Sequence, residues 1–551
     1  HEVPRTDPGC GQRPDLQVRR AQRGEDVRQD SHLHAQAGLQ RQRLRHARPP
    51  EPVDGCLSIQ TAPFDVEYNG FTGGTINVVT KSGTNRFEGS VGYYSTDDSM
   101  IGDKNGDNDF DFNFEEETMV ATFGGPIIKD KLFFFVSYDK YEEVAPLRDG
   151  PAGSGALNTE AGITSDDVAE VAQIVNSVWG FDIGGFSKPP AEDEKVLANI
   201  DWNISANHRA KLTYIQTEGN TIREQNGNNF VLPFAPGRNV LGASSSWYDR
   251  SEKVESIIGH VFSDWSDNFS TEFKIASTTQ ATGQNSLNGA EFPVMGVDVG
   301  DSNFLVFGPD RFRHGNELDQ DFFQIKFVAE YSLGSHLLKA GVEREEVDVN
   351  NLFAQNAEGS YYFATVDDLA NALATEVSYN NAITNDENDL RAIWGYDYTS
   401  IYFQDSWNAR ADLDVDFGLR YDRYESNGSI RTNSNFVQRY GFTNATDIDG
   451  LDVVLPRVSF KWYASESTTV RGGVGVFSGG APGVWISNSY SNDGVISDGV
   501  DDEPEGGIAV PTSPDAATGQ YIPAYLLNEL ATKDTDGSVN ALSPDFEIPT
   551  T

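Results

Sequence analysis

In Asp412–Tyr421 the odd positions hold Leu413, Val415, Phe417, Leu419 and Tyr421, while the even ones hold Asp412, Asp414, Asp416, Gly418 and Arg420. Successive side chains of a strand point to opposite faces, so this stretch has one apolar and one charged face. The pattern recurs. Phe323, Ile325, Phe327, Ala329 and Tyr331 oppose Gln324, Lys326 and Glu330. Val458, Phe460 and Trp462 oppose Arg457, Ser459 and Lys461, and Val470, Gly472, Val474 and Val476 oppose Thr469 and Arg471. Further strand candidates are 75–80, 87–94, 131–141, 196–204, 210–217, 254–262, 269–278, 338–344 and 399–407. The chain reads as all-β and antiparallel.

A water-soluble sandwich also alternates, with its apolar face inward. Three features favour a transmembrane barrel instead. The strand candidates reach about ten residues, enough to cross a bilayer at a tilt. Aromatics gather at their ends (Tyr93, Tyr94, Tyr138, Tyr141, Trp247, Tyr248, Tyr396, Tyr398, Trp407, Tyr421 and Tyr424), where interfacial girdles lie. Short connections (203–209, 464–467) alternate with very long ones (142–195, 218–249, 279–319, 345–398), the rhythm of periplasmic turns and extracellular loops.

Composition narrows the classes. A net charge of −43 repels phosphate over most of the surface and excludes a general nucleic-acid binder. No apolar run reaches the length of about 18 residues that a membrane-spanning helix needs. The only cysteines, Cys10 and Cys56, lie near the start, so no disulfide framework holds the bulk of the chain. That start is anomalous. Residues 1–55 carry ten Arg, no Lys and no Phe, Tyr or Trp, with no strand or helix periodicity and no apolar core of a signal peptide. Residues 1–57 are therefore read as out-of-frame or disordered sequence.

Four segments, in order, resemble TonB-dependent outer-membrane receptors of the Oar-like branch. The first is FDVEYNGFTGGTINVVTKSGTNRFEGSVGYY at 64–94, which reads as a short strand, a Gly-rich turn and a second strand. It is similar to the end of the family's plug domain where it runs into the first barrel strand. The others are GGPIIKDKLFFF at 124–135, YFQDSWNARADLDVDFGLRY at 402–421 and LPRVSFKWYASESTTVRGGVGVFSGGAPGVW at 455–485. The resemblance covers 58–551. It implies the end of a plug over 58–85, followed over 86–551 by the N-terminal half of a transmembrane barrel with long acidic extracellular loops. Roughly a dozen strands are counted, against about 22 in plugged transporters, so a fragment is expected.

The resemblance further implies a Gram-negative outer-membrane location, contact with lipid, and a path for a bulky extracellular substrate opened by the inner-membrane TonB complex. No TonB box is visible. Gly73, Gly74, Asn77, Thr80, Lys81, Gly83 and Asn85 are expected to be structural hinges and strand contacts of the plug-to-barrel junction. An adhesion or protein-export barrel, binding partners or cations through acidic loops, is the alternative. A soluble secreted β protein is a third.

No catalytic pattern is present: neither HExxH, GxSxG nor a P-loop occurs, and no enzyme activity is expected. His208, His260, His314 and His336 are scattered and read as strand or turn residues. Gly473 and Gly475 lie in a strand and lack the third glycine of a dinucleotide loop. Asp103, Asn105, Asp107, Asp109 and Asp111 place oxygen donors at alternate positions, as calcium loops do. Asn108 and Phe114 stand where an EF-hand needs Gly and Glu, so the run reads as an acidic surface loop, with looser calcium binding as its alternative. No other cofactor is expected. Val168, Val171, Ile174, Val175 and Val178 recur at helical spacing and predict a short helix over 166–178 inside a loop.

Overall fold

The computed structural model describes residues 54–61, 63–71, 73–100, 102, 104–105, 108–109, 113–225, 239–534 and 537–551. The reading of residues 1–57 as anomalous therefore falls almost wholly outside the described residues. Thirteen strands form one antiparallel sheet in chain order. They are β1 (Glu88–Asp97), β2 (Glu115–Ile128), β3 (Leu132–Val144), β4 (Ala191–Asn203), β5 (His208–Arg223), β6 (Tyr248–Ser266) and β7 (Phe269–Ser286), then β8 (Gly315–Leu333), β9 (His336–Ala354), β10 (Ala392–Arg410), β11 (Leu413–Asn427), β12 (Asp452–Ser465) and β13 (Thr468–Gly475). β1 and β13 are the two edges, and the sheet does not close.

The alternation becomes two surfaces. One rung of register partners joins Val261, Phe273, Phe327, Val342, Ile401, Tyr421 and Val454 across seven strands. The rung displaced by one residue joins His260, Lys274, Lys326, Glu343, Ser400, Asp422 and Val453. The first rung is exposed apart from the half-buried Tyr421, and the second is buried throughout. An apolar outer face with a buried polar inner face inverts a water-soluble protein. It is the arrangement that a lipid-facing wall requires.

Six turns at one end are short (129–131, 204–207, 267–268, 334–335, 411–412 and 466–467). The connections at the other end are all longer, and they do not remain loops. Among the described residues, those of 145–190, 239–247, 287–314, 355–391 and 476–551 build a cap around a six-stranded sheet ordered Asn239–Gly242, Asn303–Phe307, Val294–Asp298, Ser360–Phe363, Glu376–Ala382 and Ser497–Asp502. Helix α1 (Ser165–Trp179) supplies Val171, Val175 and Trp179 to the core of this cap. Its start is set by a capping box between Thr164 and Asp167, and its end by Gly180 at φ 70°. The helix predicted over 166–178 is present. Among the described residues no helix is long and apolar enough to cross a membrane, which says nothing of strands.

Two features differ from the sequence reading. β2 was not among the predicted strands, because Gly124, Gly125 and Pro126 interrupt its alternation. Those glycines admit neighbours: a Cβ on Gly125 would lie 2.3 Å from the Phe87 ring. The strands at 75–80 and 87–94 exist as Gly74–Thr80 and β1, but in different sheets. Gly74–Thr80 pairs with Asp54–Thr61, whereas β1 pairs with β2.

Candidate functional site

The inner face of β8–β12 is lined with charge. A charged side chain buried without a partner costs several kcal/mol, so each needs a counter-ion or hydrogen bonds. Part of the answer comes from the plug-like stretch 63–71, which lies against this wall. Lys339 Nζ of β9 is 2.6 Å from Asp65 Oδ2 and 3.0 Å from Glu67 Oε2, with Glu330 Oε1 at 3.8 Å. Lys326 of β8 pairs with Glu67 and lies 3.7 Å from Glu272 Oε1. Two acids, two residues apart in a turn closed by the Tyr68 N–H donating to the Asp65 carbonyl (3.1 Å), thus meet two lysines from adjacent strands.

Two arginines hold the same stretch by its backbone. Arg457 Nη1 of β12 donates to the carbonyls of Asp65 (2.8 Å) and Tyr68 (2.7 Å). Arg420 of β11 is fully buried. Its Nε donates to Asp422 Oδ1 (2.7 Å), its Nη2 to Ser400 Oγ (2.6 Å) and its Nη1 to the Val66 carbonyl (3.4 Å). Gln404 Oε1 accepts from the Val66 N–H at 3.0 Å, and Asn69 Nδ2 donates to Asp422 Oδ2 at 2.6 Å.

Shape matches charge. Val66 packs with Val328 and Tyr402 of the wall, and Phe64 and Phe71 both pack on the Phe477 ring. A Cβ on Gly418 would stand 2.3 Å from Val66 Cγ1, and one on Gly473 2.7 Å from the Phe64 ring. These inward positions carry glycine where the stretch comes closest.

The junction residues named from sequence lie farther along. Thr80 Oγ1 accepts from Asn199 Nδ2 (3.1 Å) and Lys211 Nζ (3.4 Å), and the Lys81 carbonyl accepts from Asn199 Nδ2 (2.8 Å). Asn85 and Asp130 exchange hydrogen bonds of 2.6 and 2.8 Å, tying the junction to the β2–β3 turn. A Cβ on Gly83 would fall 2.2 Å from the Phe134 carbonyl oxygen. Asn77 is buried and reaches the Tyr68 hydroxyl at 3.4 Å. Gly74 opens the strand paired with Asp54–Thr61. Gly73 is exposed, and a Cβ there would meet nothing within 4 Å.

Of the cation candidates, Asp103, Asp107 and Asp111 lie outside the described residues, and Asn105 and Asp109 sit in two short paired strands. Among the described residues no cluster of three or more His, Cys, Asp or Glu could hold a metal. Sequence reasoning missed Asp65, Glu67, Lys339 and Gln404. It placed Lys326, Arg420 and Arg457 on polar faces without partners. Charged residues at inward positions, repeated on neighbouring strands, were the available signal.

A family profile described as "Outer membrane beta barrel domain" matches residues 79–149 and 183–551. The chain is similar to the TonB-dependent transporter Oar of Myxococcus xanthus, with 22% identity over 445 residues, 68% of this chain. It spans 40% of the length of that relative. The structure is similar to the outer membrane transporter YddB from Escherichia coli, with a TM-score of 0.51 and 11% identity, over 81% of this chain and 50% of that one. At that identity the likeness concerns the fold alone.

Proposed function

The chain belongs to the outer membrane β-barrel domain family, and from that premise we propose that it is the plug-end and wall portion of a TonB-dependent transporter. In this reading residues 58–85 are the end of the plug, and 86–551 are wall strands with extracellular connections. The observation that carries the proposal is the docking of Asp65 and Glu67 on Lys326 and Lys339. A peptide held on the inner wall chiefly by ion pairs and backbone hydrogen bonds stays put at rest, and pulling it away uncovers only the small apolar contacts of Val66, Phe64 and Phe71. Force transmitted through the inner-membrane TonB complex would break those polar contacts one after another and open a path along the wall.

The cap supports a bulky extracellular substrate, because among the described residues several long connections, 145–190, 287–314 and 355–391 with residues 476–551, gather at the end opposite the short turns. We propose no catalytic activity and no resident cofactor. The test uses cells carrying the full-length receptor and labelled siderophores, glycans and peptides as probes. Accumulation of one of them that disappears without TonB or without the proton gradient is expected. Binding at the surface with no energy-dependent accumulation would instead support the adhesion or export reading, which the acidic connections also suit.

A further inference from the structure

The connection 476–551 leaves β13 and runs through the cap as a strap. It pairs Ser497–Asp502 with Glu376–Ala382 and buries Leu526, Leu527 and Leu530 in the cap core. It is fastened at Gln520–Ile522. The Tyr379 hydroxyl donates to Gln520 Oε1 (3.0 Å), Gln520 Nε2 donates to the Ala357 carbonyl (2.9 Å), and the Tyr361 hydroxyl donates to the Tyr521 carbonyl (2.7 Å). Packing is tight: a Cβ on Gly359 would lie 2.5 Å from Ile522 Cδ1.

Glu358 sits in the middle of this fastening, between Ala357 and Gly359. It is 8% exposed, its carboxyl meets the Gln520 side chain of the strap, its Oε2 has no hydrogen-bond partner, and it forms no ion pair among the described residues. Its backbone N–H donates to His314 Nδ1 at 3.0 Å. The inner wall treats acids differently: Asp422, Glu343 and Glu67 each meet an Arg or a Lys. The charged groups facing Glu358 are Glu387, from the turn after the Glu376–Ala382 strand, and Glu291, from the 287–314 connection. Both have the same sign. The other titratable neighbours offer no cation at ordinary pH. His314 is buried and its pKa is pulled down to about 3, while burial raises those of Tyr361 and Tyr379.

We propose that Glu358 is a proton-operated fastening: while its carboxyl is protonated the strap stays docked at Gln520–Ile522, and loss of that proton releases it from Ala357, Tyr361 and Tyr379. Burial, with Glu387 and then Glu291 adding to it and the Gln520 side chain, which hydrogen-bonds the carboxyl, only partly opposing it, pushes the carboxyl up to about 8 in the docked cap. A released, solvated glutamate titrates near about 4.3. Between those values the docked form holds a proton that the released form gives up to water. Release is then favoured about tenfold for each unit of rising pH. Below this window both forms are protonated and docking has its full stability. Above it neither is, and the stability already lost stays lost. This inference rests on the proposed function only in placing the strap at an extracellular mouth.

Backbone hydrogen exchange over residues 511–531 in the full-length protein, from pH 5 to 9, tests it. Dividing wild-type rates by those of Glu358→Gln at each pH cancels the intrinsic chemistry. The ratio should climb about tenfold per unit up to about pH 8 and then level off. A ratio constant across the range overturns the proposal. Tyr361→Phe, which keeps Glu358 but loses one fastening bond, should exchange faster than wild type at every pH with the same slope. If Glu358→Gln does not fold, wild-type protection that is independent of pH overturns the proposal equally well.

Discussion

Lys339 on the ninth strand and Asp65 on the plug-like stretch, 274 residues apart, bring Nζ and Oδ2 within 2.6 Å on the inner face of the sheet. The lysine side chain retains 11% of its exposure there, so the contact is shielded from the screening that weakens surface ion pairs. Arg457, one further inward position on the wall, grips the backbone on both sides of Val66–Glu67. The stretch is thus held both by what its side chains are and by where its carbonyls point.

Close approach makes Gly83 a stringent position. Gly83→Ala would drive a methyl group into the Phe134 carbonyl, a backbone atom that cannot swing aside, at a cost of about 1–3 kcal/mol. Gly73→Ala meets open space and should be neutral. Denaturant midpoints of the two variants check this, and equal midpoints would remove Gly83 from the junction.

The outer face predicts depth-dependent tolerance. Val342 lies in the apolar rung that crosses seven strands, whereas Asp348 lies on the same face nearer the cap. Val342→Arg should cost about 2–4 kcal/mol in lipid, and Asp348→Arg no more than about 1 kcal/mol. Urea unfolding in lipid vesicles measures both, and equal costs would contradict a lipid-facing rung.

The acidic run 103–111 is expected to behave as a solvated loop. Chelating calcium should leave its protease sensitivity unchanged. Protection that appears with calcium and vanishes with chelator would assign a cation to Asp103, Asp107 and their neighbours.

Much of the wall was legible in the sequence, because alternation has a period of two and a slip of one residue would turn Phe327 inward and Lys326 outward. The rhythm of short and long connections was legible for the same physical reason, since turns and loops differ in length by an order of magnitude. The cap was not. Its strands, such as Asn303–Phe307, are short and buried on both faces, so they show no alternation. The site was half legible: Lys326 and Arg420 could be placed on an inward face. Their partners Glu67 and Val66 lie hundreds of residues away, and no spacing rule reaches that far. Gly418 was read as one more residue on the polar face, and its role in admitting Val66 emerges only when the two surfaces meet.

The most direct test is a double-mutant cycle on Lys339 and Glu67 in the full-length receptor, reading protease protection of residues 63–85. Lys339→Glu and Glu67→Lys should each expose the stretch by leaving buried charge unpaired, at about 3–5 kcal/mol where the loss is complete. Combined, they restore opposite charges within this one pair, 3.0 Å apart, while position 67 then faces Lys326 and position 339 faces Asp65. Protection should therefore exceed the sum of the single effects by at least about 1 kcal/mol without returning to the wild-type level. Strictly additive losses would mean that the two residues do not hold the stretch to the wall, and would contradict the docking of Glu67 on Lys339.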